Sequence, residues 1–251
     1  MLLAEWARFE AGFAGHWHDH PQAQLIYPER GVMVLHTRQG QWVTPPLQAC
    51  WLPSGEGHRV ETSRGFDMVS VYCSGSLLRR LPSRPAVIAV SALLREVIRA
   101  IPSANSLGRA RRLAMVFADE LQPQDAPVLF IPQLSGPLLP IEAALLAAPG
   151  DDRTLEAWAA EVGVSARTLT REFERRAGIT FGAYRRQTRL KSALVRLAEG
   201  QPATRVGLDL GFGTASNFIR AFRAATGLTP GKYVALAASN QGRLKGRAAV
   251  D

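Results

Sequence analysis

Hydrophobic positions change their period along this chain, and the change marks its parts. Up to about residue 82 the apolar residues come in short runs: LIYP, GVMVLHT, QWVTP, ACWLP, HRVET and DMVSVYCS. Gly31, Gly40, Pro45-Pro46, Gly55 and Gly65 separate them. Short runs rich in Val, Tyr and Trp at this spacing predict strands of an all-β sandwich or barrel. Beyond Pro82 the period becomes helical. SALLREVIRAI places Leu94, Val97, Ile98 and Ile101 on one face, and RRLAMVFADEL does the same with Leu113, Val116, Phe117 and Leu121. Two such stripes either cover the β-domain or offer a dimer face, and both readings stand at this point. QPQDAPVLFIPQLSGPLLP is proline-rich, with one short apolar strand expected from Val128 to Ile131, and APGDD at 148–152 reads as a hinge. The expected layout is a β-domain over 1–82, a helical and hinge region over 83–150, a second domain over 151–236 and a flexible basic tail over 237–251.

That second domain contains one helical unit written twice. Advancing by 49 residues carries Ser165 to Thr214, Leu169 to Phe218, Arg171 to Arg220, Phe173 to Phe222, Gly178 to Gly227 and Tyr184 to Tyr233. In each copy a short apolar-periodic segment reaches a glycine (Gly163, Gly211), then a residue able to cap a helix (Ser165, Thr214), then an arginine-rich periodic segment. This is the order of a helix-turn-helix, whose second helix enters the DNA major groove.

With Leu169 and Phe173 buried, the first second-helix presents Arg167, Thr170, Arg171 and Glu174 outward. With Phe218 and Phe222 buried, the other presents Ala215, Ser216, Ile219, Arg220 and Arg223. Arginine can donate two parallel hydrogen bonds to guanine, and threonine or serine can meet a base edge. The first copy is therefore expected to dominate base choice and the second to add backbone contacts. Between them YRRQTRLKSALVRLA predicts a rod of roughly 22 Å that buries Leu190, Leu194 and Leu197 and exposes Arg185, Arg186, Arg189, Lys191 and Arg196. Successive major grooves on one face of B-DNA lie ~34 Å apart, a span this spacer and its two modules can match.

Charge supports the same division. Residues 151–251 carry 17 Lys and Arg against 9 Asp and Glu, a net +8, whereas residues 1–150 carry 13 against 12. The basic excess sits where a polyanion would be bound. No secretory leader is expected from MLLAEWARFEAGFAG, and no window reaches the ~18 apolar residues of a membrane span, so a cytoplasmic protein without a membrane partner is expected. The two cysteines, Cys50 and Cys73, are too few for a disulfide framework and read as buried thiols.

All five histidines lie in the first half. HWHDHPQAQ sets His16, His18 and His20 at period two, which in an extended strand puts them on one face. PSGEGH places His58 just beyond a tight turn. The pattern resembles the two motifs of the cupin barrel, carried by His18, His20 and His58, with Gln24 where that family has a carboxylate. Three imidazoles can bind a divalent transition metal, which Gln24 would complete less strongly. Alternatively His18, His20, Gln24 and His58 line a ligand pocket, or serve structure alone. His16 could replace either neighbour as a ligand, and His36 reads as an ordinary strand residue. Neither Glu29 nor Glu56 is aimed at the histidines, so an enzyme is not expected.

Ser165, Leu169, Arg171, Phe173, Gly178, Thr180, Phe181, Tyr184, Arg189-Leu190, Ala193, Gly211-Phe212, Ser216, Phe218, Arg220, Phe222, Gly227, Thr229-Pro230 and Tyr233 follow one motif order. That order, over about residues 152–236, resembles the AraC/XylS family of bacterial transcription regulators. The N-terminal wording, with LLREVI and FIP, resembles the subgroup that includes the nitroimidazole-resistance regulator. The resemblance implies two domains: an all-β cupin-like barrel with flanking helices, then an all-α domain with two helix-turn-helix motifs. It implies Arg167, Thr170 and Arg171, then Ala215, Ser216 and Arg220, at base-contacting positions; Arg223 and Arg186 join them as DNA-binding candidates from their outward placement alone. It also implies double-stranded promoter DNA and a small-molecule effector as partners, RNA polymerase if the protein is an activator, and binding as a monomer or a dimer, of which a homodimer is expected here. No cofactor is expected unless the histidines hold a metal. The rival functions are a metal-responsive regulator and a cupin enzyme with an appended DNA-binding domain. Gly207 stands where the family prefers alanine, and glycine within a helix costs about 0.5–1 kcal/mol. On that basis the second unit is expected to be looser without DNA.

Overall fold

Alternating positions in the first half form strands in the computed structural model, which describes residues 1–45, 47–63, 65–121 and 129–242. The strands are β1 (Leu2–Phe9), β2 (Ala23–Arg30), β3 (Met33–Thr37), β4 (Gly40–Thr44), β5 (Gln48–Leu52), β6 (His58–Glu61), β7 (Phe66–Cys73), β8 (Ala86–Ala89) and β9 (Leu129–Pro132). The helices are α1 (Ala92–Ala100), α2 (Leu107–Glu120), α3 (Leu139–Ala147), α4 (Leu155–Glu161), α5 (Ala166–Ala177), α6 (Phe181–Ala198), α7 (Ala203–Asp209), α8 (Ala215–Thr226) and α9 (Pro230–Gly242). Among the described residues, contacts group Met1–Thr37 with residues 43–121 and 235–242 in one unit, and Arg38–Trp42 with Leu129–Val234 in another.

In the first unit a five-stranded sheet runs in the order β1-β7-β2-β5-β8, with antiparallel pairing. The pairing of β3 with β6 is also antiparallel, from Val34 opposite Glu61 to Thr37 opposite His58. Strand alternation sends Leu25, Trp51, Val69 and Val71 to one face of the five-stranded sheet, where α1 and α2 cover them with Leu94, Val97, Ile98 and Phe117. The two apolar stripes beyond Pro82 therefore cover the sheet. Burying a side chain such as Phe117 or Ile98 contributes about 1.5–3 kcal/mol. Ser91 and Ser106 cap the two helices by accepting from the backbone N–H of Leu94 and Arg109. The opposite face carries Gln24, Ile26, Cys50 and Ser70, all buried, and it is this partly polar face that the histidines approach.

In the second unit Trp42 lies against Phe130, ring centroids 4.5 Å apart, and Gln133 N–H donates to Gln39 O over 3.0 Å. Helix α3 joins the core of the first helix pair: Leu138, Ile141 and Leu145 meet Trp158, Leu169, Phe173, Phe181 and Tyr184. Tyr184 hydroxyl donates to Glu142, whose carboxyl burial raises above its usual range. Around α7 and α8 the core is aromatic, with Phe212, Phe218, Phe222 and Tyr233 in successive ring contact.

Gly207 has a reason that sequence did not show. It is buried on α7, and a Cβ added there would lie 2.9 Å from Cβ, Cγ and Cδ1 of Phe218. The missing methyl lets α7 and α8 close on each other, so the residue tightens the second pair rather than loosening it. Gly207→Ala is expected to lower stability by about 1–3 kcal/mol, overpacking outweighing the gain in helix propensity. Urea unfolding of the variant measures this, and a more stable variant would refute it.

Helix α9 extends to Gly242, into the span expected as a tail, and residues 243–251 lie outside the described residues. So do Pro46 and residues 122–128, including Val128 at the start of the expected short strand.

Candidate nucleic-acid interface and histidine cluster

The duplicated sequence gives duplicated local geometry. Helices α5 and α8 are each twelve residues long and begin 49 residues apart. Ser165 accepts from Thr168 N–H and Thr214 from Asn217 N–H, and each helix ends on a left-handed glycine, Gly178 or Gly227. Capping satisfies backbone donors that the first turn leaves unpaired. Leu169 and Phe173, like Phe218 and Phe222, face inward. Arg167 and Arg171 on α5, and Ala215, Ser216, Ile219, Arg220 and Arg223 on α8, are exposed. Thr170 is half-buried, and its hydroxyl donates to Ala166 O, leaving oxygen lone pairs as acceptors.

Other arginines of this unit are already engaged. Arg153 chelates Asp151, pairs with Glu161 and lies 3.5 Å over the Trp158 ring. Arg175 and Arg176 both hold Glu172, whose carboxyl these guanidiniums bring down to about 2. Arg196 pairs with Asp209. Arg167 and Arg171 make no ion pair among the described residues, so their guanidiniums need surrender no internal partner to meet DNA.

The spacer α6 corrects the sequence reading. Of five basic residues expected to be exposed on it, Arg186 is; Arg185, Lys191 and Arg196 are partly covered, and Arg189 is buried. Arg185 donates to Arg153 O, and Lys191 reaches Gln41 Oε1. Arg189 donates through Nε to Pro149 O (3.1 Å), through Nη1 to Gly211 O (2.8 Å) and through Nη2 to Asp151 O (2.9 Å). Gly211, at φ 71°, leaves room for this, since a Cβ there would lie 2.8 Å from Nη2. Beside the buried guanidinium a groove of about 480 Å³ is lined by Arg185, Arg186, Asn217 and Arg220, and one of about 600 Å³ by Ser216, Ile219, Arg220 and Arg223. Arg220 is steadied by donating to Asn217 Oδ1 over 2.9 Å.

In the first unit His18, His20 and His58 come together, with ring centroids 4.4–6.1 Å apart. They are brought together by a bridge rather than by the expected continuous strand: His18 N–H donates to His58 O, and His58 N–H to His18 O. His16 is exposed and outside the cluster of possible metal ligands. Gln24 on β2 lies 2.9 Å from His20 Nε2 through Oε1. Burial holds the His58 imidazole neutral, down to about 4. His36 lies elsewhere, 2.8 Å from Glu61 Oε1. A cavity of about 260 Å³ is lined by Met1, Leu3, Glu5, Gln22, Tyr72 and Ser74, and none of the histidines lines it. Its link to them is Tyr72, whose ring meets that of His20 edge-on at 5.4 Å.

Both halves match described families. Residues 5–121 match the AraC-like ligand binding domain, and residues 158–235 match a helix-turn-helix domain. The chain belongs to the AraC/XylS family of transcription regulators. This AraC/XylS-family chain is 29% identical over 223 residues to the HTH-type transcriptional regulator NimR of Escherichia coli, covering 87% of itself and 81% of that relative. To the HTH-type transcriptional regulator RipA of Corynebacterium glutamicum it is 31% identical over 151 residues, 51% of itself and 46% of the relative. Among solved structures, ToxT from Vibrio cholerae aligns over 94% of this chain and 98% of its own, at 10% identity and a TM-score of 0.40. Family membership agrees with a role in transcription regulation and DNA binding that is not enzymatic. Among the described residues no helix is long and apolar enough to cross a membrane.

Proposed function

We propose that the chain is a sequence-specific regulator that binds double-stranded promoter DNA through two helix-turn-helix units. In this reading α5 and α8 enter successive major grooves. Arg167, Thr170 and Arg171 read bases, Ser216 and Arg220 add contacts, and Arg223 and Arg186 hold phosphates. The observation that carries it is the pair of capped helices, α5 and α8, each with arginines on its outward face. The N-terminal β-domain senses a small molecule, with His18, His20, Gln24 and His58 as its polar contacts. A ligand acts there by binding the DNA-competent arrangement more tightly than its alternative. We further place the chain in the subgroup resembling the nitroimidazole-resistance regulator, working in the cytoplasm as a homodimer and contacting RNA polymerase where it activates.

Selection of bound fragments from a genomic library, followed by footprinting, tests the reading. A bound site should show two protected major-groove segments on one face, ~34 Å apart. Uniform affinity for all fragments would reject it. Arg186→Ala is expected to weaken binding alike on every sequence and to lower the slope of log affinity against log salt by about 1, as loss of one phosphate contact does. A slope unchanged in a titration from low to moderate salt would remove Arg186 from the interface.

A further inference from the structure

Helix α8 carries an aliphatic side chain on the face where hydrogen-bonding groups are expected. Ile219 is 43% exposed there, with Ala215 one turn before it and Arg223 one turn after. A single exposed isoleucine is ordinary on a protein surface, but the register of this one is not. Advancing by 49 residues carries Thr170 to Ile219 just as it carries Arg171 to Arg220, so α5 and α8 hold a β-branched residue at the same point. β-branched side chains lower helix propensity, and an isoleucine this exposed recovers little by burial, so helix stability does not account for it. Ile219 lines the groove of about 600 Å³ together with Ser216, Arg220 and Arg223, and the two guanidiniums there suit a polyanion. Arg220 is held in direction by Asn217 Oδ1 at 2.9 Å.

We propose that Ile219 selects a thymine in the DNA segment that α8 enters, by packing on its C5 methyl group. This rests on the DNA-reading assignment and gives its second unit a base preference. Thymine alone among the four bases sets a methyl group on the major-groove edge. Cytosine offers an amino donor there, adenine an amino donor and N7, and guanine two acceptors. An isoleucine pressed against any of these excludes water and leaves them without a partner, whereas against the methyl group both apolar surfaces leave water. In a helix isoleucine keeps largely one χ1 rotamer, so its methyl groups are already ordered before DNA arrives. Burial of one methyl group corresponds to about a fourfold difference in affinity, less than an arginine's paired contact with guanine contributes.

Exchange of thymine for uracil removes the methyl group and leaves base pairing intact. Full-length wild type and Ile219→Ala are titrated, at one fixed salt concentration, with selected operators in which each thymine of the two protected segments is replaced in turn. At one position wild type should bind uracil about fourfold more weakly than thymine, and Ile219→Ala should bind the two alike. Thymines elsewhere should affect both proteins equally. Ile219→Thr, which copies Thr170 and keeps a methyl group, should retain part of the discrimination, and circular dichroism should show both variants folded as wild type. Absence of any uracil effect, or effects equal in wild type and Ile219→Ala at every position, would overturn the contact while leaving the two-segment footprint in place. A selected operator without thymine in the segment that responds to Arg220→Ala would overturn it too. Uniform affinity for all fragments would instead remove the DNA-reading assignment, and this contact with it, so the two failures are told apart.

Discussion

Arg189→Ala should unfold the C-terminal helical unit more readily than any other single truncation of an arginine, at a cost of about 3 kcal/mol or more. Arg189 is 9% exposed, and its guanidinium donates to three carbonyls from two segments: Pro149 and Asp151 before α4, and Gly211 in the turn after α7. Hydrogen bonds to charged groups contribute about 1.5–3 kcal/mol each, and their removal leaves buried acceptors without a donor. Burial shifts the guanidinium pKa downward, the expected direction where desolvation opposes charge. Lysine keeps the charge but not the planar fork, so Arg189→Lys should recover only part of the loss. Urea unfolding followed by helical circular dichroism measures both variants. A change below about 0.5 kcal/mol for Arg189→Ala, the range of an ordinary surface substitution, would remove its structural role.

The second large effect concerns recognition. Arg171→Ala should weaken binding to a selected operator by about 1–3 kcal/mol, roughly fivefold to more than a hundredfold, and should flatten preference at one base pair. Arg171 is exposed on α5 between Arg167 and Glu174, whereas Arg175 and Arg176 are tied to Glu172. Arg175→Ala should therefore cost much less on the same operator, which makes it the control. Competition between operator and random duplex, at one fixed salt concentration, gives the answer. If Arg171→Ala lost affinity equally on both, the residue would be a phosphate contact and α5 would not be reading bases there.

Helices α5 and α8 were legible because duplication is visible by inspection and because apolar spacing at Leu169, Phe173, Phe218 and Phe222 fixes which side faces inward. Arg189 was not legible for the opposite reason. Helix α6 buries Phe181, Tyr184, Thr188, Arg189, Leu190, Ala193, Leu194 and Leu197, an arc too wide for one apolar stripe to define. A charged residue within that arc looks solvent-facing until its carbonyl partners, 22 to 40 residues away, are known. Gly207 misled similarly, because propensity measures the isolated helix and not the nearness of Phe218. Strand β1 carries exposed Leu3 and Trp6 with no regular alternation, and β8 has only four residues, so neither left a strong pattern. His18 and His20 gathered with His58 by backbone bonds to the His58 turn and not along a single strand, and His16, expected on the same face, stayed outside.

The two outward faces are unequal: α5 offers Arg167 and Arg171, while α8 sets the aliphatic Ala215 and Ile219 beside Arg220. If α5 and α8 read bases as proposed, such a chain has a head and a tail on the duplex. Its site would then be a directed word, strong at one end and permissive at the other, and inverting that word relative to a promoter would present the opposite flank of the protein to whatever is bound next to it.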